Sequence, residues 1–117
     1  MGIRFVPGNA SWSYSGFDEF RTRLAKEVGL DLDQMVGFGG SHAWELDDPI
    51  TLLLNHSDCD GSLSPIECDQ IAPRLQELVS TWSSELGTDE NYDRTNALYL
   101  AEAMQTCVAE QKPLLFR

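Results

Sequence analysis

A chain of 117 residues, 42% of them hydrophobic, can bury one core and is too short for two, so a single domain over residues 1–117 is expected. Its formal charge of −11 argues against direct nucleic-acid binding and favours cations or a basic protein partner. No apolar run is long enough to span a bilayer and no export signal opens the chain, which reads as a cytoplasmic protein with no membrane contact.

The first apolar segment, Ile3-Arg4-Phe5-Val6, has a counterpart at the other end in Leu114-Leu115-Phe116. Both border a proline, and the two are expected to pair as a small ribbon. Ser15 and Asp18 form a capping arrangement for a helix with an apolar stripe at Phe17, Phe20, Leu24 and Val28, stopped by Gly29. Asp31 to Gln34 offers a second cap before a short turn. The glycines around Phe38 predict a loop, and with no lysine behind them they do not make a phosphate cradle. Asp48 before Pro49 predicts a short, largely buried helix over 49–55 carrying Ile50, Leu52, Leu53 and Leu54.

Ser64-Pro65-Ile66-Glu67 opens the next helix, with Ser64 as cap and Glu67 reaching back to it. Pro73 predicts a kink or break, after which Leu75, Leu78, Val79, Trp82 and Leu86 continue a helical stripe as far as Gly87. A last long helix over 91–111 turns Ala97, Leu100, Ala101, Met104, Cys107 and Val108 inward. The expected fold is therefore mainly α: a compact single domain of about four helices, with a helix-loop-helix unit over 49–70 and a ribbon of the chain ends.

Between the two central helices lies the stretch with the most chemistry, residues 56–67. Asp58, Asp60, Gly61, Leu63, Ser64 and Glu67 stand third, fifth, sixth, eighth, ninth and twelfth in it, the spacing of a calcium loop. The segment resembles a single EF-hand with His56 at the first ligand position, where an aspartate is usual. The resemblance implies a metal site made by His56, Asp58, Asp60, Ser62 through its carbonyl, Ser64 and Glu67, with Ca2+ as its ion. The imidazole nitrogen removes one negative charge and suits a transition metal better, so that ion, or none, is the alternative. The chain is also similar to small proteins of bacteria and their phages that carry a His-Ser-Asp-Cys-Asp-Gly stretch, a likeness that brings no activity with it.

A loop without metal explains part of the same pattern, since Ser64 and Glu67 suffice as a capping box and Asp58 and Asp60 can make local turns. Three carboxylates so close together, however, need a cation or a basic group among them. The remaining acids form a run: residues 27 to 69 contain ten acidic residues and no Lys or Arg. That run is either a solvated face or a decoy for a basic partner.

The leading functional expectation is a small acidic binding or regulatory protein with a divalent-cation loop, its single copy favouring structural calcium, and a partner surface at Trp12, Tyr14, Phe38 and Trp44. The same aromatics equally suit core packing. Its alternatives are a non-metal interaction protein and, more weakly, a hydrolase using a metal or the pair His56 and Cys59, whose acidic surroundings disfavour the thiolate. With Cys59, Cys68 and Cys107 an odd number, reduced thiols are expected, a Cys59–Cys68 bridge being the alternative in an oxidising compartment.

Overall fold

The computed structural model describes residues 2–57 and 61–117. Four α-helices pack on a small antiparallel sheet: β1 Gly2–Val6, β2 Ser11–Ser13, α1 Tyr14–Glu27, a 3-10 turn Leu32–Gln34, α2 Thr51–Leu54, β3 Ser62–Leu63, α3 Pro65–Val79, α4 Asp89–Glu110 and β4 Leu114–Phe116. The mainly α expectation thus holds, with a larger sheet than a ribbon of the two ends.

The chain ends do pair, Phe5 opposite Phe116 and Val6 opposite Leu115, and Arg4 and Arg117 exchange backbone bonds of 2.7 and 2.8 Å. Each end then gains a second neighbour, giving the order β2-β1-β4-β3. Alternation of side chains sends Ile3, Phe5, Leu114 and Phe116 to the core face. There Phe5, Trp12, Phe17 and Phe20 form a continuous aromatic cluster, Trp12 stacked on Phe20 at 4.5 Å between centroids.

Trp12 is therefore a core residue rather than part of an exposed surface, and so are its companions in part. Phe38 and Trp44 meet edge to face at 6.0 Å, pack against the core, and fasten the loop between them through Trp44 Nε1–H to the Val36 carbonyl, 2.9 Å. Within that loop Gly40 lies so close to Gln34 that a Cβ would sit 2.1 Å from its carbonyl group.

Helix α1 starts earlier than its apparent capping pair. Strand β2 carries extended backbone through Ser13, so Ser13, not Ser15, becomes the cap and its Oγ accepts from Gly16 N–H at 3.0 Å. Asp48 caps the turn into α2, accepting from Ile50 N–H at 3.0 Å. Pro73 does not end α3, because it stands on the exposed side and the carbonyl it leaves without a donor belongs to exposed Asp69. The helix stops instead at Val79. Ser80, Thr81, Ser83 and Ser84 are poor helix formers, and Trp82 turns back to donate to Glu27 Oε1 at 2.9 Å. Leu86 thereby leaves the expected stripe and is 88% exposed.

Candidate functional site

The acidic loop leaves α2, passes through Gly61 and enters α3, and contacts at its entrance, across it and at its exit hold it. At its entrance the buried Arg21 of α1 brings Nη1 to 3.3 Å from the Leu54 carbonyl and 2.5 Å from that of His56. These carbonyls lie at the end of α2, where no helical N–H remains to satisfy them. The guanidinium lies over the rings of both Phe17 and Phe38, at 4.6 and 5.1 Å.

Across the loop, the His56 ring stacks on Phe116 at 3.9 Å between centroids and an angle of 21°. Its Nε2 faces the Ser62 carbonyl at 3.0 Å and its Nδ1 the Ser57 carbonyl at 2.9 Å. A carbonyl can only accept, so each contact is a hydrogen bond when the facing nitrogen carries its proton. Gly61, at φ +97°, makes the turn beneath this ring, and a Cβ there would meet His56 Cε1 at 3.0 Å. At the exit β3 pairs with β4, Ser62 opposite Leu115 and Leu63 opposite Leu114, and Phe116 N–H donates to the Gly61 carbonyl at 3.0 Å. The C-terminal strand thus supports the loop at its exit.

Glu67 and Ser64 form the expected capping box: Ser64 N–H donates to Glu67 Oε1 at 2.9 Å, and Glu67 N–H to Ser64 Oγ at 3.2 Å. Replacing Glu67 by Gln preserves an acceptor for Ser64 N–H. The expected stability loss is therefore below about 1 kcal/mol in chelator-treated protein, measurable by urea unfolding.

The expected metal ligands can be tested as a donor set. The Ser62 carbonyl, Ser64 Oγ and the Glu67 carboxylate keep oxygen lone pairs suited to a hard cation. His56 fits only through a ring nitrogen that carries no proton, since a nitrogen that donates to the Ser62 carbonyl has no lone pair left for a metal. Asp58, Asp60 and Cys59 lie outside the described residues, so the hydrolase pairing of Cys59 with His56 does as well. Among the described residues no group of three or more His, Cys, Asp or Glu side chains gathers in metal-binding geometry. Upstream, Asp48 is committed to Arg74, whose Nη2 lies 2.9 Å from Oδ2.

Cys68 and Cys107 are free thiols buried between α3 and α4. Burial first, then the neighbouring Cys107, pushes the Cys68 thiol up to about 12, far from a reactive thiolate. No helix among the described residues is long and apolar enough to cross a membrane.

Two clefts lie elsewhere, side by side at the starts of α1 and α4. One, of about 390 Å³, is lined by Trp12, Ser13, Glu19, Asp89, Tyr92 and Asp93. The other, of about 560 Å³, shares Asp89 and Tyr92 and extends along α4 to Tyr99, with Leu86 on its far wall. Asp93, at the floor, accepts from Trp12 Nε1–H at 3.0 Å and lies 3.4 Å from Arg23 Nε.

Burial raises the Asp93 carboxyl above its ordinary value, Trp12 and Arg23 draw it down, and Asp89 and Glu19 add to the rise. The folded protein therefore binds that proton more readily than the unfolded chain, and ionised Asp93 costs stability that is regained as pH falls through its raised value towards 3.8. Asp48 works in the opposite sense. Burial raises its carboxyl, but the Arg74 and Ile50 bonds outweigh burial, so its contribution is present above 3.8 and is lost as pH falls through its lowered value. In Asp93→Asn, which keeps an oxygen acceptor for Trp12, melting followed against pH is expected to lose the acid-side gain and keep the loss at lower pH.

Comparison with protein-family models, with curated proteins and with solved structures finds no match to this chain.

Proposed function

We propose that this chain is a small acidic binding protein for a basic partner, built around a calcium-type loop that His56 closes in place of an ion. The observation that carries the loop reading is the His56 ring, stacked on Phe116 with Nε2 on the Ser62 carbonyl at 3.0 Å. In a calcium loop the first side chain and the seventh carbonyl converge on the cation. Here they meet each other, and the ring joins the beginning of the loop to its exit. Arg21 supplies the positive charge at the loop entrance that such an acid-rich segment requires. The net charge of −11 supports the choice of a basic partner.

A second reading, favoured by Gly61 in the left-handed region, buried Leu63 and Glu67 at the twelfth position, keeps the divalent cation, with Asp58, Asp60, Ser62, Ser64 and Glu67 around it. Titration calorimetry with calcium, magnesium and zinc separates the two. Self-closure predicts no saturable one-to-one binding, and stoichiometric uptake of one of these ions would establish the second reading instead.

A further inference from the structure

We infer that the joined cleft between Leu86, Tyr92 and Tyr99 is a docking groove for a basic amphipathic segment of a partner protein, apolar residues against the tyrosines and Lys or Arg towards Glu19 and Asp89. This rests on the reading of the chain as a binding protein for a basic partner and adds the surface and the partner's chemistry.

Among the described residues six large hydrophobic side chains are exposed, and three of them, Leu86 at 88%, Tyr92 at 52% and Tyr99 at 44%, line this one groove. Single exposed apolar residues are ordinary, whereas their gathering in one groove marks an interaction surface. The walls are pre-formed. Tyr92 donates its hydroxyl to the Ser11 carbonyl at 3.2 Å, and Asn96 ties the same strand to α4 by accepting from Ser11 N–H at 3.3 Å. Tyr99 follows two turns after Tyr92 on the same helical face. Leu86 is presented by a loop fixed at Gly87, φ +88°, and at Thr88, whose Oγ caps α4 by accepting from Asn91 N–H at 3.1 Å.

Charge decides the occupant. Arg23 pairs with Glu90 and Asp93. Glu19 and Asp89 on its rim are in no ion pair among the described residues. A second copy would bring another −11, and anionic lipid or nucleic acid would meet the same repulsion. A cationic segment meets complementary charge, with tyrosine faces for its Lys or Arg stems. The positive end of α4 does not oppose this, since Asp89 and Glu90 occupy its first turn.

The test is a titration of the ¹⁵N-labelled protein with a short Leu/Lys amphipathic peptide, beside versions with Glu for Lys and with Ser for Leu. The expected result is saturable shifts centred on Leu86, Asp89, Tyr92, Tyr99 and Glu19. Leu86→Ser with Tyr99→Ser, and separately Glu19→Lys, should each weaken binding by about tenfold, and neither control peptide should bind. Shifts mapping to the acidic run of 31–48, unchanged by these variants, would overturn the groove and leave the basic-partner reading standing. Absence of binding anywhere would overturn both.

Discussion

Replacing Arg21 by Leu is expected to destabilise the protein by about 3 kcal/mol, the largest effect of any single charged residue here. The Leu54 and His56 carbonyls would lose the guanidinium donor at the buried end of α2, at about 1–3 kcal/mol for each polar group left unsatisfied. Recovered desolvation of the charge offsets part of this. Arg21→Lys should rescue only in part, since an ammonium cannot lie flat over Phe17 and Phe38 while reaching both carbonyls. Urea unfolding provides the measurement. A midpoint close to the parent's would mean that other donors satisfy these carbonyls and that Arg21 is not the loop's resident cation.

His56→Asp is expected to reverse the loop's response to calcium. Without an ion, a carboxylate at this position faces the Ser62 carbonyl, acceptor against acceptor, and the stack on Phe116 disappears. A loss of about 2 kcal/mol is expected in chelator. With calcium, the restored carboxylate completes the usual first-position ligand, and binding selective for the folded state returns stability as RT ln(1 + [L]/Kd). Melting should thus rise with calcium in the variant and not in the parent. An equal loss with and without calcium would show that the loop cannot adopt ion-binding geometry even when its ligands are complete.

What the sequence makes legible here is what is local. Ser64 and Glu67 cap α3 as their spacing requires. Phe17, Phe20 and Leu24 face the core at helical intervals, and proline-bounded apolar ends pair. The misreadings arise where distant contacts overrule local preference. Ser13 replaces Ser15 as a cap because β2 pairs with β1, α3 continues through Pro73 because that residue faces solvent, and Leu86 leaves its expected stripe because Trp82 finds Glu27.

The site follows the same division. The unusual histidine at the first loop position is visible at once, but its partner Phe116 is sixty residues away in sequence (116 − 56 = 60). Arg21 carries no local sign of its task, standing in α1 like any charged residue near a helix surface, 33 and 35 residues before the carbonyls it holds. Trp12, conspicuous in a Ser-rich stretch, goes to the core instead, and the exposed groove is made by Tyr92 and Tyr99, which read as ordinary positions of a long helix.

An imidazole that does the work of an ion is read most directly from the His56 ring signal in ¹⁵N-labelled protein. Self-closure predicts a protonated Nε2, in contact with Ser62, whose shift stays constant on addition of millimolar calcium or micromolar zinc. A deprotonated Nε2 whose resonance moves stoichiometrically with either ion would contradict it.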